Sequence, residues 1–348
     1  MTNLNDRRLT KVDRSLVIMH RIGIFDFKRS ISPNFLTVLN YHRIDDPSHE
    51  KFDTFLPNIS ATPSDFALQM DHVSQHYNVI SGVDLVAFIK GKRKLPAHAA
   101  IITFDDGYRD NYTKAFPILK ARNLPAIIFL TTNFIGTGKP FYWDLIAYCF
   151  HHTTLEKVEL PYLGSRGWVD QATRTEVMHD WIGILKKISE SEKQKIVEQL
   201  PEMMNVRVRD DTFRNIMMSW SNAREMSENG IEMAGHTVSH PILTRVSPEE
   251  ASQELINCKR HIEDQVKNSV LSFAYPNGQP ADFNAELISR VQKAGFEVAF
   301  TLLPGPMRNA DVLKNPFSIR RVFLSYKDTF PRFVAKLAGI DRINSKYS

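Results

Sequence analysis

Short apolar runs, each followed by a helix-like segment, recur along most of the chain. They limit it to a parallel α/β fold. FLTVLNY (35–41), AAIITF (99–104), PAIIFLTT (125–132), IEMAG (231–235), VLSFAY (270–275), FEVAFTL (296–302) and IRRVFL (319–324) all read as strands. AAIITF and PAIIFLTT are apolar at successive positions, as a strand is when helices cover both its faces. The intervening segments carry helix signals. Thr62 and Pro63 open a helix over 62–76. Ser247 and Glu250 form a capping box for 247–268, where Ala251, Leu255, Cys258, Ile262 and Val266 make one apolar stripe. A third helix over 282–295 ends in Gly295. Seven or eight such units predict a parallel α/β barrel or a doubly wound sheet.

The rhythm breaks between 137 and 218, which is rich in helix pattern and poor in strand pattern. Val177, Trp181, Leu185 and Ile188 mark one amphipathic helix there. We read 137–218 as a helical insertion within a barrel spanning 33–340, preceded by a basic helical segment over 1–32. In a barrel, an insertion after the strand at 125–132 belongs to the active-site face. It opens with Phe141, Tyr142 and Trp143. Such rings either line a glycan groove, with Trp143 the candidate, or anchor the insertion's own core.

The 348 residues are 43% hydrophobic and 24% charged, ordinary for a soluble globular chain and enough for a sizeable core. Cys149 and Cys258 sit in apolar-periodic segments and read as buried thiols, not a disulfide. No secretory signal or membrane-spanning run is evident, so we expect a cytoplasmic protein. The net charge of +5 is diffuse, and no basic motif or aromatic platform predicts nucleic-acid binding. Arg7, Arg8, Lys11, Arg14, Arg21, Lys28 and Arg29 either form a solvated helix face or rest the N-terminal segment peripherally on an anionic membrane surface. Oligomeric state is not legible.

Two motifs carry chemistry. FDDG places Asp105 and Asp106 side by side at a strand end. HTVSH places His236 and His240 four apart after another strand, a spacing that one helical turn would put on one side. Either motif alone has a structural explanation, such as a helix cap. Both follow parallel strands, so both belong to the same face of the sheet. One aspartate and two histidines make a facial set that holds a metal with open positions. The cation neutralises one carboxylate and leaves the other ionised.

TFDDGYRDNY and HTVSH resemble the first two motifs of the polysaccharide deacetylases, carbohydrate esterase family 4. The resemblance continues through SFAYPNG (272–278) and FSIRRVFL (317–324), and covers roughly 36–324 apart from the insertion. It implies a distorted parallel (β/α)7-type barrel with a mostly helical insertion. It also implies metal-dependent hydrolysis of N-acetyl groups on an amino-sugar polysaccharide or glycan precursor, with release of acetate.

Residue by residue, the resemblance makes Asp105 the catalytic base and Asp106, His236 and His240 the metal ligands. Zinc suits that set, and cobalt, nickel or iron are the alternatives. Many members carry a general-acid histidine near the C-terminus, but the last histidine here is His261. LTVLNYHRID (36–45) resembles the leading strand of the poly-N-acetylglucosamine deacetylases of exopolysaccharide biosynthesis, whose motif order is circularly shifted. His42 is therefore the expected general acid. Ala274 stands where the family often has an arginine that orients the base. Arg321 is the replacement, with Arg320 second. Tyr275, Pro276 and Asn277 are the expected substrate-binding loop, with the oxyanion near Asn277. The alternatives are an O-acetyl esterase, a small-amide hydrolase, or a carbohydrate-binding relative without turnover.

Overall fold

A computed structural model describes residues 10–49 and 52–340. Seven parallel strands close into a barrel: β1 (Phe35–Tyr41), β2 (Ala99–Phe104), β3 (Ala126–Leu130), β4 (Ile231–Gly235), β5 (Ser272–Ala274), β6 (Val298–Pro304) and β7 (Ile319–Phe323). Closure comes from β1, which pairs with β7 at Leu39↔Val322 and with β2 from Leu36↔Ala99 to Tyr41↔Phe104. The closure is uneven. A single pair, Phe273↔Gly235, joins β4 to β5, and the register slips between β6 and β7. Gly235 is required at this seam, because a Cβ there would meet the Phe296 ring at 2.9 Å.

Strand side chains alternate between two apolar compartments. Val38, Ile101, Phe129, Ala234, Val298, Phe300 and Ile319 fill the barrel interior. Leu39, Ile102, Ile128, Met233 and Ala299 face the surrounding helices. Runs apolar on both faces therefore read as continuous, which is why the strands stand out in the sequence. The inward phase, followed toward the C-terminal strand ends, reaches Asn40, Thr103, Asp105, His236 and Arg321. Arg320 has the opposite phase and is exposed.

Between β3 and β4 the chain forms helices Tyr142–His152, Gln171–Leu185, Glu190–Met203 and Trp220–Glu228. It also forms a hairpin, Lys157–Leu160 with Gly164–Gly167, that periodicity did not predict. Its strand Gly164–Gly167 is glycine-rich and polar and mostly exposed, so it carries no apolar alternation. Ile188 lies outside the helix Gln171–Leu185 rather than on it. The end of this region returns to the barrel mouth: Tyr108 bridges Met217, and the Arg109 amide donates to the Ile216 carbonyl at 2.9 Å. Cys149 and Cys258 are buried free thiols. Before β1 lie two helices, α1 (Lys11–Arg21) and α2 (Ile24–Ser30). Arg7 and Arg8 fall outside the described residues. Among the described residues, no helix is long and apolar enough to cross a membrane.

Candidate active site

Asp105 continues the inward phase of β2 one residue past the strand. Burial raises its carboxyl, but Arg321, together with His236 and His42, outweighs burial and holds it well below the usual carboxylate range. The guanidinium grips it with two bonds, Nη1 to Oδ1 at 2.7 Å and Nη2 to Oδ2 at 2.8 Å. Arg321 is fixed in turn by the Thr301 carbonyl, which accepts from Nε at 3.0 Å. Asn40 Nδ2 donates to Asp105 Oδ2 at 3.0 Å. The sequence reading missed Asn40, although a polar residue on the inward phase of FLTVLNY is a visible signal. His42 Nε2 lies 3.9 Å from Asp105 Oδ2, an electrostatic contact too long for a hydrogen bond. Burial pushes the His42 imidazole down to about 4, against the pull of Asp105 and aided by Arg321.

Asp106 leaves the strand phase through a backbone turn. Its φ is +76°, and Gly107 follows at +86°. A Cβ on Gly107 would meet Ile135 at 2.7 Å and Leu130 at 2.9 Å, so only glycine serves. The turn aims the Asp106 carboxylate at the two histidines. Its Oδ1 is 3.5 Å from His236 Nε2 and 3.5 Å from His240 Nε2.

The histidines meet for a different reason than a helical turn. Residues 236–240 are irregular, with Thr237 at φ +70° and His240 at φ +64°. A β-branched residue at positive φ is strained, and strain of this kind clusters at working sites. The Thr237 hydroxyl accepts from the His240 amide at 3.0 Å and holds the turn. The spacing in HTVSH is thus met by a left-handed loop, which corrects the helical expectation.

These three residues fit a metal. His236 Nδ1 is 2.8 Å from the Ala274 carbonyl. A carbonyl only accepts, so Nδ1 carries the proton and the Nε2 lone pair faces Asp106. Burial lowers both imidazoles, with His236 adding to the effect on His240, so both are neutral, the ligating form. Asp106 Oδ1 is buried with no hydrogen-bond partner among the described residues. Burial, then the charges of Asp105 and Asp144, push its carboxyl well above the ordinary range, so ionisation calls for a cation. All candidate ligand atoms lie within 4.8 Å of one another.

The expected substrate residues are placed differently. Tyr275 is in the core: its ring stacks on Phe283 at 5.3 Å, and its hydroxyl donates to the Phe317 carbonyl at 3.1 Å. The alternation of β5 turns it toward the helices. Pro276 is buried, and the Asn277 amide group is engaged with Asp282 at 2.5 Å. Trp143 offers no open face for a glycan either. It is 7% exposed, stacks on Phe141 at 4.5 Å and sets its ring edge-on to His240 at 5.1 Å. Its Nε1 donates to the Tyr108 hydroxyl at 2.8 Å. That hydroxyl donates to Asp144 Oδ2 at 2.7 Å and accepts from Asn58 at 3.1 Å. The Arg43 guanidinium lies 4.9 Å from the Tyr108 ring centroid and bonds Asp110 at 2.8 Å. Burial raises Asp144 to about 6 despite Arg43. This hub joins the insertion to the wall behind a candidate ligand. No sequence pattern announces it, because its members come from four separate segments.

A closed seven-stranded barrel with a metal-competent aspartate–histidine set at its mouth defines a class of hydrolase scaffold. The profile of the family described as polysaccharide deacetylase matches residues 92–169 and 186–299, more than half of the chain, and the chain belongs to that family. Among similar relatives, YxkH of Bacillus subtilis (strain 168) is 20% identical over 274 residues, 78% of this chain and 66% of its own length. A poly-beta-1,6-N-acetyl-D-glucosamine N-deacetylase of Staphylococcus epidermidis (strain ATCC 35984) is 29% identical over 160 residues, 44% of this chain and 52% of its own. The chain thus spans between half and two thirds of these relatives. The solved structure of the Streptococcus pyogenes deacetylase PplD in complex with acetate shares the fold. Its TM-score is 0.59 at 17% identity, over 88% of this chain and 99% of that one.

Proposed function

We propose that this protein hydrolyses N-acetyl groups on an amino-sugar polysaccharide or glycan precursor and releases acetate. The observation that carries this reading is the buried Asp105–Arg321 pair set directly beside Asp106, His236 and His240. One carboxylate is held ionised by a guanidinium, and its neighbour is left for a cation. The relative named as a poly-N-acetylglucosamine deacetylase supports the substrate class.

Asp106, His236 and His240 would hold a divalent metal, zinc being the best suited to two imidazoles and a carboxylate. Such an ion polarises an acyl carbonyl and lowers the pKa of water. Asp105, ionised at rest, takes a proton from the attacking water. Arg321 keeps that carboxylate oriented and prevents it from becoming a ligand itself. His42 is neutral at rest and stands beside Asp105. It receives the proton and delivers it to the departing amine, so the acid enters from the first strand of the barrel. An amide nitrogen leaves only when protonated, which is why a relay to it is needed.

The test is acetate release by purified, metal-loaded protein from N-acetylated and O-acetylated sugars, both polymeric and lipid-linked. Release from N-acetyl sugars, abolished in Asp105→Asn, supports the reading. Release from O-acetyl sugars alone replaces it with an esterase. Saturable glycan binding without release from any sugar replaces it with a non-catalytic relative.

A further inference from the structure

The two N-terminal helices pack onto the barrel by one side and leave an apolar face outward. Leu16 and Phe25 are buried. Asp13 is tied to Arg332 at 2.8 Å, and His20 packs edge-on to Phe330 at 5.7 Å. These contacts seat α1 on the helix Phe330–Leu337. The opposite side carries Ile18, Ile22, Phe27 and Ile31, which are 61%, 68%, 66% and 59% exposed, with Val12 and Ile24 beside them. Ile18 and Ile22 follow one stripe of α1 and its cap, with Val12 to one side, and Ile24, Phe27 and Ile31 follow one stripe of α2. Exposed apolar residues scattered singly need no explanation, but six within 20 residues of one helical hairpin form a patch.

The unpaired charge around that patch is positive. Lys11, Arg14, Arg21 and Lys28 are exposed on the same two helices. Of the two acidic residues there, Asp13 is engaged with Arg332, and the exposed Asp26 is paired with Arg29 of the same helix at 2.8 Å. An apolar stripe rimmed by cations matches the headgroup boundary of an anionic bilayer, where apolar side chains enter and basic ones meet phosphate.

We propose that the hairpin α1–α2 docks this protein peripherally on an anionic phospholipid surface. The inference is independent of the reaction proposed above. Ile31 precedes the first residue of β1 by only four positions, so α2 delivers the chain to the barrel end opposite the metal ligands. A bilayer met by this hairpin leaves the mouth of the site open.

The experiment is flotation of the full chain with phosphatidylcholine vesicles, with and without phosphatidylglycerol. The protein should float only with the anionic vesicles, and less so as salt rises. Ile18→Ser with Phe27→Ser should weaken binding by about tenfold or more, since each buried side of that size contributes about that factor. Arg14→Glu with Lys28→Glu should weaken it too, at an unchanged melting midpoint, because these side chains are exposed. Equal flotation with neutral vesicles, or none with either, overturns the proposal. So does a self-association that the Ile18→Ser, Phe27→Ser variant abolishes while vesicle binding persists, because the patch is then an interface between copies.

Discussion

Replacing Arg321 by Met isolates the pair at the centre of the site. The guanidinium is buried and makes two short bonds to Asp105, one to the Thr301 carbonyl and a longer one to the Thr103 hydroxyl at 3.4 Å. The variant keeps the volume but leaves a buried carboxylate without its counter-charge. Breaking a buried pair in this way costs about 3–5 kcal/mol. The cost depends on pH in a defined direction. In the wild type, Asp105 has a folded pKa below the unfolded value of about 3.9, so its stabilisation is complete above that value and fades as pH falls through the folded one. In the variant Asn40 still donates to the carboxylate, but burial, the largest influence on it, is no longer offset by a guanidinium, and the folded pKa rises above the unfolded value. Its penalty is then full at neutral pH and relieved by protonation as pH falls. Urea melts of both proteins, each treated with chelator, should differ by about 3–5 kcal/mol at pH 7, and the gap should narrow as pH falls toward 4. The acid limb of kcat/KM should also move to higher pH, because the base protonates sooner. A difference that stays constant with pH, or one under about 1 kcal/mol, would refute an electrostatic role for Arg321 and leave it a packing residue.

Metal analysis of His236→Ala, His240→Ala should show loss of bound metal, and full occupancy in that variant removes Asp106, His236 and His240 as the ligand set. His42→Ala should lower turnover by about 10²–10⁴-fold with metal content unchanged, and near-normal turnover would mean the proton comes from elsewhere. Tyr108→Phe strands the Trp143 indole N–H and the Asp144 carboxylate inside the hub, so thermal or urea denaturation should show a loss of about 1–3 kcal/mol. An unchanged midpoint would mean that water replaces the hydroxyl.

Legibility followed the range of the interaction. The strands were readable because one face packs inside the barrel and the other under the helices, so AAIITF and PAIIFLTT had to be apolar throughout. The carboxylate pair and the histidine pair were readable because each lies within a few residues of a strand end. Arg321 was preferred over Arg320 from the family resemblance, and the strand phase supplies the physical reason, since a one-residue shift moves a side chain to the other face. The conformation of HTVSH was misread because its spacing suits a helix, while positive φ at Thr237 and His240 is imposed by the surrounding barrel. Tyr275 was placed in a substrate loop by the family resemblance, and Trp143 was read as either a groove ring or a core anchor, because aromatic rings suit both. Their burial depends on Phe283 and on Phe141 and Tyr108, which no local pattern places beside them.

The seam between β4 and β5 has a thermodynamic reading. A single backbone pair joins the two strands, and the next link across the gap is the His236 Nδ1–Ala274 carbonyl hydrogen bond. The imidazole that offers Nε2 to a cation is therefore also a rivet in the barrel wall. Fraying of the seam and occupancy of the site by a cation would then be coupled, and each suppresses the other by the same factor. Amide protons along Ser272–Ala274 should exchange with solvent as a gauge of site occupancy, slow when it is filled and faster when it is stripped. In this barrel the weakest joint of the wall is bridged by a residue of its own candidate site.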